Sequence, residues 1–320
     1  MKIIIRLIFK SLIDPNHTDM FQPSTLKKGD KIGIIAPAGK IDKQKIITAQ
    51  KVLETLGYEV ILGKHVFDEH HIFAGTDKDR AADFQFMIDH EEIKAIICAR
   101  GGYGCIRIID KLTFDGLEKH PKLIIGFSDI TIIHARLNHI HFGSLHATMP
   151  INFTENIADS SSLQKLADYL EGKLTNYQIP THQLNRTGTC EAELVGGNLS
   201  VICSLNATNY ELNTQNKILF IEDLNEDLYH LDRLMLSLKL SGKLDHLEAL
   251  IVGGMSDMKD GETPFGKTAY EIIKEAVLDY KYPLVFNFPA GHIDENWPLP
   301  LGKKVRLDVK EKDVKLSWKN

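Results

Sequence analysis

The residues able to do chemistry gather at the ends of apolar runs. Lys122-Leu-Ile-Ile-Gly-Phe-Ser-Asp129 reads as a buried strand that breaks at Gly126 and delivers Ser128 into a turn; residues 130–138 then space their apolar side chains as a helix does. A serine at such a junction has the first free helical N–H groups and the positive end of the helix dipole beside it. That environment suits a nucleophile in acyl transfer. Ser and Asp are also common N-caps, and Ile130 stands where a nucleophile elbow usually has its second glycine. The stretch alone leaves capping and catalysis side by side.

A serine hydroxyl needs a base, usually an imidazole whose tautomer is held by a carboxylate. Of the 14 histidines, His292 sits in a Pro-Ala-Gly-His loop directly after the apolar run 284–288. His146, in Ser-Leu-His-Ala-Thr-Met-Pro150, is its competitor. His134, His139 and His141, in or just after the helix behind Ser128, read as packing or surface residues. His70 and His71 are adjacent and point apart, with no metal-ligand spacing around them, so no metal is expected. Glu222 and Asp223 end the run 217–221, and Glu222 continues the strand; the pair would equally cap a helix beginning at Leu228. Arg100-Gly-Gly-Tyr-Gly104 follows another apolar run. Its glycines free the backbone to aim N–H groups inward, and it lacks both G-x-G-x-x-G and the Lys-Ser/Thr ending of a phosphate loop. An oxyanion hole is the expected use.

The elements that must position these residues follow from periodicity. Strands are expected at 31–36, 58–62, 93–99 and around 124, with helices at 45–56, 77–88, 106–112 and 130–138. This alternation implies a mostly parallel, helix-covered sheet whose ligands bind beyond the carboxyl ends of its strands. Between 152 and 189 the chain turns polar, with Pro180 and one helix at 161–170. Beyond it come a helix at 199–205, strands at 217–221, 247–253 and 284–288, helices at 228–240 and 268–277, and a two-stranded edge at 304–318. The expected division is an extension at 1–19, an N-terminal α/β domain with the nucleophile at 20–155, a linker at 156–190, and a C-terminal domain with Glu222 and His292 at 191–320.

A net charge of −5 over 320 residues, with no Lys/Arg cluster, argues against nucleic-acid binding and for a small or neutral partner. Cys98, Cys105, Cys190 and Cys203 have no C-x-x-C spacing, which reads as reduced thiols in a cytoplasmic protein. No run nears the roughly 20 apolar residues of a membrane span. The apolar start is interrupted by Arg6 and Lys10 with no small-residue cleavage site after it, so export is not expected. Met20 heads a polar lead-in to the first strand, which leaves Met1 and Met20 as alternative starts of translation.

With these motifs in hand, the chain resembles the LD-carboxypeptidase family, serine peptidases that include muramoyltetrapeptide carboxypeptidase and the microcin C immunity hydrolases. The likeness runs from Leu26 to about Leu307. It rests on Gly-Asp-Lys-Ile-Gly-Ile-Ile-Ala-Pro-Ala-Gly39, Phe-Ala-Gly-Thr-Asp77 with Arg80-Ala-Ala-Asp83, Ala-Arg-Gly-Gly-Tyr-Gly104, Gly-Phe-Ser-Asp129, His146, Gly-Gly-Asn-Leu199, Ile-Glu-Asp223 and Ala-Gly-His292. Phe127 stands where the family often has Tyr. The resemblance implies an α/β protein: a flavodoxin-like or amidotransferase-like parallel-sheet domain, a smaller β-rich C-terminal α/β domain, a site at their junction, and a homodimer without cofactor. It implies Ser128 as nucleophile, Glu222 as orienting carboxylate and His292 as base, with the N–H groups of Asp129 and of Gly101 or Gly102 as oxyanion hole. Arg100, Tyr103 and Asn198, from the matched motifs, are expected to hold substrate, Arg100 through the terminal carboxylate. The implied substrate is a small muropeptide, a peptidoglycan-derived tetrapeptide losing its terminal D-alanine in cell-wall recycling. Two rivals stand beside it: cleavage of a microcin C-type amide, and muropeptide binding without turnover.

Overall fold

The computed structural model describes residues 20–319; the expectations about residues 1–19 and the translation start concern residues outside that range. In the first half, β1 (Lys31–Ile35), β2 (Glu59–Leu62), β3 (Ile93–Cys98), β4 (Leu123–Gly126) and β5 (Ser144–His146) are joined by helices. In the second come β6 (Asn176–Pro180), β7 (Gly188–Asn198), β8 (Ile218–Leu224), β9 (Ala249–Ser256), β10 (Leu284–Val285), β11 (Leu299–Leu301), β12 (Lys304–Val309) and β13 (Asp313–Trp318). They form two sheets in a mixed α/β fold.

The first sheet runs β11-β5-β4-β3-β1-β2, with β5 to β2 parallel and β11 antiparallel on the edge. Its parallel part has the flavodoxin-like order. The second runs β10-β9-β8-β7-β12-β13-β6; its first four strands are parallel and the rest antiparallel. The parallel strands β3, β4, β8 and β9 are almost wholly buried, as strands covered on both faces must be. A continuous core links the two units, running from Ile35, Phe84 and Ile133 to Val195, Ile221 and Leu231.

Helix starts follow local chemistry. Thr76 and Asp79 close a capping box on the Asp77–Asp89 helix, Thr268 and Glu271 another on Ala269–Ala276, and Asp42 caps Lys43–Thr55. The helix expected at 106–112 is broken into Cys105–Ile108 and a 3₁₀ turn, Ile109–Lys111. The strand expected at 284–288 pairs only over Leu284–Val285. β12 and β13 form the expected hairpin, but β6 covers β13 and takes the edge. The interval 156–190 supplies structure to both units: Leu163, Leu166 and Leu170 of the Ser161–Leu170 helix pack into the first sheet's core, and β6 belongs to the second sheet. β11 returns from the second half to complete the first sheet.

Candidate active site

The carboxyl ends of the parallel strands in the two sheets supply the site. β4 ends at Gly126, Phe127 stays extended, and Ser128 turns to φ +66° before the 3₁₀ turn Ser128–Ile130 feeds the Thr131–His139 helix. A non-glycine residue in the left-handed region costs of order 1–3 kcal/mol and persists only where surrounding contacts impose it. One such contact is His134, whose Nε2 lies 2.9 Å from the Gly126 carbonyl and Nδ1 2.8 Å from Ser144 Oγ. Burial pushes this imidazole down to about 4, so it is a neutral clamp.

Gly101 packs against the serine. A Cβ there would lie 2.7 Å from Ser128 Cβ, 2.8 Å from Oγ and 3.2 Å from the Asp129 nitrogen, so the approach excludes any side chain. The Gly101 carbonyl accepts from the Gly39 N–H at 3.2 Å. In a trans peptide C=O and N–H point oppositely, so the N–H of Gly102, an exposed residue, is turned away from Gly39. The Asp129 N–H opens a helix and is free of its ladder. The Asp129 side chain is spent elsewhere: it is 3% exposed and its Oδ2 accepts from the Cys105 N–H at 2.8 Å. Burial outweighs those donors and holds its carboxyl above the ordinary range.

Across from the elbow, Glu222 near the end of β8 is fully buried, and its Oε2 accepts twice from one residue, from His292 Nδ1 at 2.7 Å and the His292 backbone N–H at 3.1 Å. Gly291 makes this possible: it takes φ +110°, and a Cβ there would sit 2.7 Å from Oε2. With Nδ1–H donating to the carboxylate, Nε2 is the free acceptor. Burial acts to lower the His292 pKa, but the Glu222 hydrogen bond and the charges of Glu222 and Asp223 outweigh it and leave it raised above 6.5. Phe127, the residue before the serine, packs its ring 4.8 Å from the His292 ring and so sets the imidazole beside the elbow. Ser128 Oγ has no hydrogen-bond partner among the described residues; such bonds are often long before substrate binds.

The other candidates fall into place around this centre. His146 is fully buried with Nε2 3.2 Å from Asn296 Oδ1 and no carboxylate partner, and burial drives its pKa well below 6.5. Arg100 donates from Nη1 to the Lys40 carbonyl at 2.9 Å, tying its loop to the one after β1. Tyr103 is about half exposed beside Phe73, ring centroids 6.0 Å apart. Asn198 is buried; its Nδ2 donates to Asp223 and its Oδ1 accepts from Ser200 and Val201, capping the Leu199–Ser204 helix. Asp223, pushed up to about 6 by burial and by Glu222, also accepts from the Ser200 and Leu224 N–H groups. His65, Asp68 and Asp79 lie close together, but Asp79 is occupied in the capping box and His65 in a contact with Asp68. Gly291 has the unusual backbone that a glycine before His292 suggests, whereas sequence reasoning assigned no part to Phe127, whose role appears only when two chain segments meet.

An α/β fold with a left-handed serine at a strand-to-helix elbow, and a carboxylate-anchored imidazole packed on the ring of the residue before it, is an arrangement suited to a serine hydrolase. The sequence matches the family models described as the LD-carboxypeptidase N-terminal domain, over residues 32–147, and the LD-carboxypeptidase C-terminal domain, over residues 191–307. The chain belongs to the LD-carboxypeptidase family and is a serine carboxypeptidase. It is 34% identical over 298 residues to the "Probable murein peptide carboxypeptidase" of Bacillus subtilis (91% of this chain, 93% of the relative). The crystal structure of muramoyltetrapeptide carboxypeptidase from Oxalobacter formigenes superposes with a TM-score of 0.82 at 27% identity, covering 91% of this chain and 99% of that one. The microcin C7 self-immunity protein of Escherichia coli is 25% identical over 330 residues, covering 91% of this chain and 94% of that protein.

Proposed function

We propose that this LD-carboxypeptidase removes the terminal D-alanine from peptidoglycan-derived tetrapeptides through a Ser128–His292–Glu222 acyl-enzyme mechanism, in the recycling of cell-wall peptides. The observation that carries the reading is the fully buried Glu222 holding His292 Nδ1 at 2.7 Å, with Phe127 locking that imidazole beside a left-handed serine. His292 Nε2 takes the hydroxyl proton as Ser128 Oγ attacks the carbonyl carbon of the L-centre diamino acid. The Asp129 and Gly102 N–H groups receive the oxyanion, worth about 2.7–4 kcal/mol of barrier per donor. His292 then passes its proton to the departing D-alanine amine. It next deprotonates the water that attacks the ester, and the tripeptide leaves with a new carboxylate. Tyr103, exposed on the rim, and Arg100 are the proposed contacts for the peptide and its carboxylate. The four cysteines are free thiols, which supports a cytoplasmic setting, and a homodimer belongs to the same proposal.

The 34% identity to a protein named for murein peptide favours this substrate over the amide of a microcin-type aminoacyl nucleotide. The test is mass-spectrometric assay against L-Ala-γ-D-Glu-diaminopimelate-D-Ala, with Ser128→Ala as control. Loss of one alanine by the parent protein alone is the expected result. Intact tetrapeptide alongside cleavage of an aminoacyl-sulfamoyl nucleotide would replace the substrate assignment.

A further inference from the structure

Arg80 carries a charge into the interior, 1% exposed, on the buried face of the Asp77–Asp89 helix one turn before Phe84, a position that helical spacing ordinarily gives to an apolar side chain. Its Nη1 donates to two carbonyls on different loops, Pro37 after β1 at 2.5 Å and Gly104 after β3 at 3.0 Å. Asp77 holds Nη2, and the Phe73 ring covers the guanidinium at 4.8 Å. Arg80 is therefore fixed on three sides.

The Gly104–Cys105 peptide is gripped at both ends. Its carbonyl goes to Arg80 and its N–H to Asp129 Oδ2, the carboxylate of the residue after Ser128. Gly104 takes φ +148°, and a Cβ there would lie 2.5 Å from Arg80 Nη1, so the glycine is imposed by the guanidinium. Three residues upstream, the Gly39 N–H donates to the Gly101 carbonyl and turns the Gly102 N–H the other way. That bond forms only while the loops after β1 and β3 keep their relative position, and Arg80 is the buried side chain bonded to both.

We propose that Arg80 is a positioning residue for the oxyanion hole: by clamping the Pro37 and Gly104 carbonyls, with Asp129 holding the far end of the Gly104–Cys105 peptide, it aims the Gly102 N–H at the developing oxyanion. This rests on the Ser128 acyl-enzyme reading. A donor displaced by about 1 Å stabilises the transition state poorly while leaving ground-state binding nearly intact. Arg80 therefore acts on kcat rather than KM.

The test compares Arg80→Lys with the parent in the full-length protein. Lysine keeps the charge that pairs with Asp77 but replaces a planar fork by a point donor, which cannot hold two carbonyls in the same geometry. Expected is a fall in kcat of about 10²-fold, the size of one lost oxyanion donor, with KM changed less than about 3-fold. Affinity for a peptidyl boronate, with boron in place of the scissile carbonyl carbon, should fall in step with kcat, while affinity for the tripeptide product holds. Arg80→Met should lose at least as much where it folds; where it does not, the lysine variant decides. Unchanged kcat and boronate affinity in Arg80→Lys would overturn the proposal, as would equal losses of boronate and tripeptide binding, which mark a general loosening. Absence of turnover in the parent, or full activity in Ser128→Ala, would instead overturn the underlying mechanism.

Discussion

Replacing Glu222 by Gln removes a negative charge from beneath the His292 imidazole while nearly preserving shape. Two donors of His292 converge on Glu222 Oε2, the ring Nδ1–H and the backbone N–H, so a glutamine must place its amide oxygen there. Its NH₂ group then falls where Oε1 lies buried with no partner. The tautomer survives and the charge does not. A unit charge pair about 4 Å apart is worth about 4 kcal/mol at an effective dielectric of 20, and a neutral hydrogen bond retains about 1 kcal/mol of it. The net loss of about 3 kcal/mol corresponds to roughly 10²-fold in kcat. The acid limb of kcat/KM moves as well. His292 must be neutral to act as base, so activity falls as pH drops through its pKa, which the carboxylates hold above 6.5. Without Glu222's charge, burial prevails, the pKa falls, and the limb shifts to lower pH. Steady-state kinetics on the tetrapeptide across that limb measures both effects. A limb that stays put or moves to higher pH would refute the electrostatic argument, and a loss near 10⁴-fold would show that the amide had locked the wrong tautomer.

Three further outcomes are expected. Ser128→Gly and Ser128→Ala should both be inactive, but glycine relieves the φ of +66° and should be more stable than alanine by about 0.5–1 kcal/mol in urea unfolding. Gly101→Ala puts a methyl group 2.8 Å from Ser128 Oγ, and should cost about 1–3 kcal/mol of stability by overpacking and roughly 10²-fold in kcat by displacing the hydroxyl. Asp223 titrates higher in the fold, near 6 against 3.8, so between those values the folded protein binds more protons than the unfolded chain and stability falls as pH rises. Asp223→Asn should flatten that slope, read as melting temperature against pH; an unchanged slope would place the titration elsewhere.

Much of the architecture was legible because burial writes itself into apolar spacing. The runs that became β1, β3, β4, β8 and β9 are continuous and apolar since both their faces are covered, and the Leu228–Leu240 helix lies where its period predicts. β5, β6, β7 and β11 escaped notice: β5 and β11 are three residues long, β6 and β11 contain proline, and the eleven-residue β7 has its apolar pattern interrupted by Glu191, Glu193 and the Gly196–Gly197 pair. Arg80 and Lys122 likewise look like surface charges in sequence, yet both are buried, Lys122 paired with carbonyls at a helix end and Arg80 with carbonyls of two distant loops and the Asp77 carboxylate.

The sequence by itself determined which residues were chemically able to form the site: a serine at a strand-to-helix break, an acidic pair at another strand end, a loop histidine after a third, and a glycine-rich loop, each set by local pattern. Tertiary structure alone decided which of them meet. His292 and His146 both follow plausible local signals, and the choice between them depends on a carboxylate 70 residues from His292 in the chain, reached at 2.7 Å only because Gly291 lets the backbone close on Glu222. Local propensity acts over a few residues, whereas charge pairing, burial and the orientation of a peptide N–H depend on groups the folded chain brings together.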